Sequence, residues 1–207
     1  MGTWDPVSDL DSDDLIGQRL MVGFDGTAWN EDLAFCLREL RPCGLILFAA
    51  NIESPGQVEA LCRDAQKGAA DLGLPPLIIA VDQEGGPVAR LRPPAFPHFP
   101  GAAEMKGLAD AEAFVRLAAD QLGPMGINMD MAPVLDLDAP EVESVMRTRA
   151  FGPDPETVTP MGLAIVEGLQ GRGIMAVAKH FPGIGRTTAD SHLERPDLDT
   201  DRATLLE

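Results

Sequence analysis

The sequence has few basic side chains for its length. Its 207 residues include 16 lysines and arginines against 33 aspartates and glutamates, a formal net charge of −17. Such an excess of negative charge repels both the phosphate backbone of nucleic acids and the anionic surface of a membrane. We therefore expect neither nucleic acid nor a membrane among its partners.

Cysteine is scarce, and no apolar run is long. Cys36, Cys43 and Cys62 are odd in number and lack the paired spacing of a zinc site, so we expect free thiols in a reducing compartment, without metal or disulfides. No stretch reaches the roughly 18 apolar residues of a membrane span, and residues 1–14 lack the basic start and apolar core of a leader. The sequence therefore predicts a cytoplasmic location.

Hydrophobic residues make up 45% of the chain, which is enough for a packed core. Runs rich in Val, Ile, Leu and Met predict five buried strands, at 20–24, 43–48, 77–82, 127–137 and 174–181. Amphipathic stretches between them predict helices at 30–41, 54–73, 110–126 and 154–173, with Ser54-Pro55 and Asp154-Pro155 as helix starts. Repeated strand–helix units indicate parallel strands with right-handed crossovers.

Such units build either an open doubly wound sheet or a (β/α)8 barrel. No G-x-G-x-x-G follows the first strand, so the dinucleotide-binding sheet loses support, and we expect no cofactor. Asp82, Asp136 and Lys179 fall at the ends of three different strands, which favours the barrel, because barrel enzymes place their active sites at the carboxyl ends of strands. A closed barrel takes roughly 250 residues. We therefore expect residues 1–207 to be an incomplete, N-terminal part of a (β/α)8 barrel domain.

The segment "AVDQEGGPVARLR", residues 80–92, carries Asp82 and Glu84 on a glycine-containing turn, with Arg90 shortly after. Ionised carboxylates accept several hydrogen bonds each, which suits the binding of hydroxyl groups, so a sugar is a natural ligand. The alternative is a solvated loop in which Asp82 caps the next element. Arg149, in "RTRAFGPDPETV", also has two possible roles. Its guanidinium can hold a hydroxyl or an anion, or the residue can simply lie on a solvated loop.

The segment "KHFPGIGRTTADSH", residues 179–192, begins with Lys179 and His180 at a strand end and finishes with Asp190 and His192 on a long loop. Adjacent strand residues face opposite ways, so Lys179 and His180 share one site only where the backbone kinks. An aspartate beside a histidine favours the imidazolium, which can donate and retake a proton near neutral pH. Alternatively, Asp190 caps a turn and His192 has no role.

These segments together resemble the β-N-acetylhexosaminidase branch of the family 3 glycoside hydrolases. The resemblance runs from about residue 15 to the end of the chain and rests on six blocks in order: "LIGQRLMVGFDGT", "GLILFAANIESPGQ", "AVDQEGGPVARLR", "NMDMAPVLDLD", "RTRAFGPDPE" and "AVAKHFPGIGRTTADSH". It implies a barrel enzyme that removes terminal N-acetylglucosamine, with retention at the anomeric carbon, from glycosides such as peptidoglycan fragments. It further implies a cytoplasmic enzyme, and we expect a monomer at full length.

The resemblance also implies substrate contacts. Asp82 and Arg90 match the sugar-hydroxyl binders of the family, and Arg149 matches its arginine before the "FG" pair. Lys179 and His180 match its "KH" pair, which contacts the substrate. Five substrate-binding residues are thus expected.

For catalysis, the resemblance assigns His192, oriented by Asp190, as the histidine that replaces the usual carboxylic acid/base. Ile184 stands where many members have a second histidine, "PGHG", so the loop lacks one polar group. The nucleophile of the family is an aspartate well downstream of this loop. We assign no residue of this chain to it and expect the chain to end before the nucleophile strand.

Several alternatives stay open at this point. Within the family, the chain could come from a β-glucosidase or from a phosphorylase that passes the sugar to phosphate. Without a nucleophile, it could persist as a sugar-binding remnant. A Schiff-base aldolase that uses Lys179 is a further reading, but it leaves Asp190 and His192 without a role.

Overall fold

The computed structural model describes residues 12–138, 144–188, 195–198 and 200–203. Its helices are α1 (Ser12–Gly17), α2 (Glu31–Leu40), α3 (Pro55–Asp71), α4 (Leu108–Leu122) and α5 (Pro155–Gln170). Its strands are β1 (Met21–Val22), β2 (Gly44–Leu47), β3 (Ile78–Val81), β4 (Gln83–Gly85), β5 (Val88–Ala89), β6 (Met129–Asp130) and β7 (Met175–Ala176). None of the described helices is both long and apolar enough to cross a membrane.

Five strands form one parallel sheet in the order β1, β2, β3, β6, β7. The order follows the chain without reversal, as in successive units of a barrel, whereas a doubly wound sheet reverses its order at a switch point. β4 and β5 form a separate antiparallel hairpin directly after β3. The predicted parallel α/β architecture is confirmed, and the described strands do not close into a ring.

Helix starts follow the local signals in the sequence. The side chains of Asn30, Ser54 and Asp154 each accept a hydrogen bond from the backbone N–H three residues later, at 2.8, 3.3 and 2.8 Å. Pro55 and Pro155 follow at the first helical position, where the missing N–H costs nothing. The predicted starts at Ser54 and Asp154 are therefore confirmed.

The core lies between the sheet and the helices. Leu33 and Leu37 of α2 are fully buried four residues apart, as the helical repeat requires for one face. Phe114 of α4 meets Phe99 edge to face, with ring centroids 6.1 Å apart. Fully burying a side chain of this size contributes about 1.5–3 kcal/mol.

The cysteines are free, and burial raises the pKa of the Cys62 thiol to about 12, which keeps it protonated.

The strand predicted at 127–137 is shorter than expected. Regular pairing ends at Asp130, and it resumes as a single bridge between Val134 and Lys179. Pro133, which lies between them, has no N–H to donate to a ladder. Two elements, α1 and the β4–β5 hairpin, had no counterpart among the predicted segments.

The cap of α5 offers a test of this account. We expect Asp154→Ala to lower the free energy of unfolding by about 1 kcal/mol, because the N–H of Thr157 loses its acceptor. Asp120→Ala, at an exposed site on α4, should change it by less than about 0.5 kcal/mol. Urea denaturation measures both values, and equal effects would refute the capping role.

Candidate active site

Polar side chains from distant parts of the chain meet at the carboxyl ends of β3, β6 and β7. Val81, Asp130 and Ala176 pair across these three strands, so the residues that follow them lie at one edge of the sheet. Asp82 comes directly after β3, and Lys179 lies three residues beyond β7. Register therefore brings together groups that are almost a hundred residues apart in sequence.

An alternating network of acids and bases occupies this edge. Lys179 Nζ lies 3.0 Å from Asp82 Oδ1 and 2.6 Å from Glu84 Oε1. Arg90 Nη2 donates to Asp82 Oδ2 at 3.1 Å. Arg149 donates two hydrogen bonds to Glu84, from Nε at 2.8 Å and from Nη2 at 2.7 Å. Each carboxylate is thus held by two cations, which fixes its position.

The network is largely shielded from water. The side chains of Glu84, Lys179 and Arg149 are 5%, 13% and 14% exposed. Burial raises the pKa of Asp82, but Lys179 and Arg90 outweigh that effect, so the net pKa is below the usual value. Burial likewise lowers the pKa of Arg149, and the hydrogen bonds and charge of Glu84 reverse the shift, so the net pKa is raised. Asp82 and Arg149 are therefore both charged at neutral pH.

His180 forms a second pair beside this network. Its Nδ1 lies 2.6 Å from Asp136 Oδ2, and its Nε2 lies 3.4 Å from Arg149 Nη2. Because Nδ1–H donates to the carboxylate of Asp136, Nε2 of the neutral ring is the acceptor. The backbone N–H groups of His180 and Ile184 also donate to Asp136. Burial raises the pKa of Asp136, but these hydrogen bonds lower it by more, so the net pKa is below the usual value.

Lys179 and His180 both reach the cluster, although they are adjacent. The peptide bond between them is cis. The side chain of Lys179 contacts the carboxylates after β3, whereas that of His180 contacts the carboxylate after β6. The two neighbouring residues therefore connect the carboxylates after β3 with the carboxylate after β6.

The turn that carries Asp82 and Glu84 is shaped by glycine. Gly85 has a φ of 85°, and a Cβ added to it would lie 2.0 Å from the carbonyl oxygen of Pro100. Gly86 donates its N–H to the carbonyl of Phe99 at 2.9 Å. A side chain at residue 85 would therefore push the turn away from the segment that supports it.

Gln83 and Asp130 lie beneath the charged residues and are fully buried. Gln83 Oε1 accepts the N–H groups of Arg90 and Leu91, each at 2.9 Å, and its Nε2 donates to the carbonyl of Leu91 at 3.2 Å. Asp130 Oδ1 accepts the N–H of Gln83 at 3.0 Å, and its Oδ2 has no hydrogen-bond partner within the described residues. Burial raises the pKa of Asp130 well above its usual value.

The structure thus brings Asp82, Arg90, Arg149, Lys179 and His180 together. Asp190 and His192 lie outside the described residues. The sequence analysis placed Glu84 and Asp136 at strand ends without a role among the five substrate-binding residues, and it missed Gln83 and Asp130. Glu84 and Asp136 carried a usable signal, because both are carboxylates that follow strand ends. Across the described ranges, no group of His, Cys, Asp and Glu is arranged to hold a metal ion.

Comparison with known proteins gives consistent matches. Residues 12–207 match the family described as "Glycosyl hydrolase family 3 N terminal domain". A β-hexosaminidase from Pseudomonas aeruginosa is 39% identical over 185 residues, which cover 86% of this chain and 53% of that protein. A β-hexosaminidase from Alkalilimnicola ehrlichii is 40% identical over 186 residues, with 86% and 52% covered. The chain spans about half the length of these curated relatives.

Solved structures agree with the fold. A family 3 β-N-acetylglucosaminidase from Paenibacillus sp. str. FPU-7 superimposes with a TM-score of 0.88 at 34% identity, covering 95% of this chain and 38% of that one. NagZ from Neisseria gonorrhoeae, in complex with N-trifluoroacetyl-D-glucosamine, gives a TM-score of 0.79 at 30% identity, with 90% and 56% covered. These likenesses support the assignment of the strands to part of a barrel.

The charge of Asp136 gives a pH-dependent prediction. A carboxylate whose pKa is lowered by folding adds stability above its unfolded pKa of about 3.9, and this stability is lost as the pH falls through the lower folded value. Asp136→Asn should therefore lower the free energy of unfolding at pH 7 by about 2 kcal/mol and flatten its decline below about pH 4. Urea denaturation between pH 3 and pH 7 measures the slope. The exposed Asp71→Asn variant is the control, and a parallel slope for the two variants would contradict the argument.

Proposed function

This chain belongs to glycoside hydrolase family 3, and from that premise we propose that residues 1–207 form the N-terminal, sugar-binding part of a barrel enzyme. The enzyme that we propose is a retaining β-N-acetylhexosaminidase, located in the cytoplasm, which releases terminal N-acetylglucosamine from glycosides such as peptidoglycan fragments. The observation that carries the proposal is the network of Asp82, Glu84, Arg90, Arg149 and Lys179 at the carboxyl end of the sheet.

The pairing of the charges supports a neutral, hydroxyl-rich ligand. A hydroxyl group both donates and accepts, so it can donate to Asp82 while it accepts from the neighbouring Arg90 or Lys179. Each of the cations Arg90, Arg149 and Lys179 contacts the carboxylate of Asp82 or Glu84. No cation of the described network is left without a carboxylate partner, which suits a sugar better than an anion.

The same pairing bears on two of the alternatives. A phosphorylase must attract phosphate, but each cation of the network already contacts a carboxylate. A Schiff-base aldolase needs a lysine whose Nζ is free to attack a carbonyl carbon, whereas Nζ of Lys179 contacts the carboxylates of both Asp82 and Glu84. The ion pairs of the three cations therefore favour a glycosidase over a phosphorylase and over an aldolase.

For the catalytic steps, we propose that His192, oriented by Asp190, is the acid/base of the whole protein. An aspartate outside the 207 residues attacks the anomeric carbon while the glycosidic C–O bond breaks, and His192 gives its proton to the leaving oxygen. His192 then takes a proton from water, which attacks the anomeric carbon and releases the aspartate. We therefore expect the 207-residue chain to bind the sugar without hydrolysing its glycosides.

Sugar binding can be tested on the chain itself. We expect N-acetylglucosamine to bind in a calorimetric titration and Asp82→Asn to weaken binding about tenfold, since a charged hydrogen bond to a hydroxyl is lost. Asp71→Asn, an exposed change of the same kind on α3, should leave the affinity unaltered. Absence of binding by the unaltered chain, or equal affinity of the Asp82 variant, would overturn the proposal.

The acid/base role needs the whole protein. We expect His192→Ala to slow the turnover of a β-N-acetylglucosaminide at least about a hundredfold, because both steps lose their proton transfer. Comparison with a β-glucoside separates the proposed activity from a β-glucosidase, and a dependence on phosphate would indicate a phosphorylase. Unchanged turnover in the variant would rule out His192 as the acid/base.

A further inference from the structure

The turn that carries Asp82 and Glu84 is held from below by Gln83, which lies between them in sequence. The amide of Gln83 makes three hydrogen bonds to the backbone of Arg90 and Leu91. The guanidinium of Arg90 in turn donates to Asp82, so the amide holds the backbone of one partner of that ion pair. The geometry of this part of the site therefore depends on where Gln83 is held.

Asp130 is the residue that holds the backbone of Gln83. It is the last residue of β6, it pairs in register with Val81, and its Oδ1 accepts the N–H of Gln83 at 3.0 Å. This hydrogen bond joins two fully buried residues that are 47 positions apart in sequence. This hydrogen bond connects the end of one strand to the turn that leaves its neighbour.

The surroundings of Asp130 favour the neutral acid. Burial raises the pKa of Asp130, and the negative charges of Asp82 and Glu84 raise it further. The N–H of Gln83 and the charge of Lys179 lower it, but the net pKa stays well above the usual value. An ionised carboxylate with a single hydrogen bond and no contact with water would be costly here. The turn therefore requires Asp130 as a hydrogen-bond acceptor and not as a negative charge.

We propose that Asp130 is a positioning residue for the sugar site: its carboxyl oxygen fixes the N–H of Gln83 and thereby sets the placement of Asp82, Glu84 and Arg90. Asp130 does this from beneath the turn, without contact with the ligand. The consequence for sugar affinity rests on the proposed function, whereas the consequence for the geometry of the turn does not.

Two substitutions separate an acceptor from a charge. Asp130→Asn keeps an oxygen at the same place, and we expect N-acetylglucosamine affinity within about twofold of that of the unaltered chain. Asp130→Leu removes the acceptor, and we expect a loss of about tenfold, the equivalent of one hydrogen bond. Hydrogen exchange at the amides of Gln83, Arg90 and Leu91 should accelerate about tenfold in the Leu variant and remain unchanged in the Asn variant.

Asn128→Leu is the matched control. Asn128 lies on the same stretch of chain two residues earlier, and its Oδ1 accepts the N–H of Ile79 at 2.7 Å, so it ties the same two strands together at their other end. Its loss should lower stability without altering sugar affinity or exchange at the three amides. Equal effects of the Asn128 and Asp130→Leu variants would show general destabilisation and overturn the proposal.

The remaining outcomes are also decisive. A folded Asp130→Asn variant that loses affinity or amide protection would show that the charge matters, and the proposal would be wrong even if Asp130→Leu did not fold. If the unaltered chain binds no N-acetylglucosamine, the proposed function fails, and the exchange measurements still test whether Asp130 positions the turn. Unaltered exchange in a folded Leu variant would reject the positioning role.

Discussion

Glu84 is a carboxylate almost out of contact with water, and it is paired with two cations, Arg149 and Lys179, that lie 30 residues apart in the chain. Arg149 approaches after β6 and Lys179 after β7, and both donate to the same side chain after β3. Removal of one partner from such a buried arrangement leaves a charge without compensation, which is far more costly than loss of an exposed ion pair. The carboxyl end of the sheet is therefore held together by charge as well as by backbone pairing.

The hydrogen bonds of Gln83 and Asp130 add direction to that attraction. Coulomb attraction alone brings opposite charges close but does not fix their angles, whereas a buried amide with three backbone partners does. The network is consequently presented to a ligand in one arrangement. Pre-organisation of this kind reduces the entropy that binding has to overcome.

The sequence predicted where the five parallel strands lie, because buried parallel strands are short apolar runs, but it made the strands at 127–137 and 174–181 too long. It also predicted the helix starts at Ser54 and Asp154 from their caps. Asp82 and Lys179 could be expected to meet, since both follow strands whose carboxyl ends share one edge. The pairing of His180 with Asp136, 44 residues earlier, could not be read from spacing, because it depends on the path of the chain after β6. Asp130 was hidden inside an apolar run, and Gln83 gave no signal between two acids. Their roles arise from burial, which only the packed structure reveals.

A Cβ on Gly85 would lie 2.0 Å from the carbonyl oxygen of Pro100, so the 82–86 turn packs directly against the segment around Pro100. Bending of the 82–86 turn toward a ligand would have to carry residues 99–101 with it, together with the packed ring of Phe99. Residue 85 is therefore a poor position for mutagenesis, because any side chain there would displace the turn together with the carboxylates that it carries.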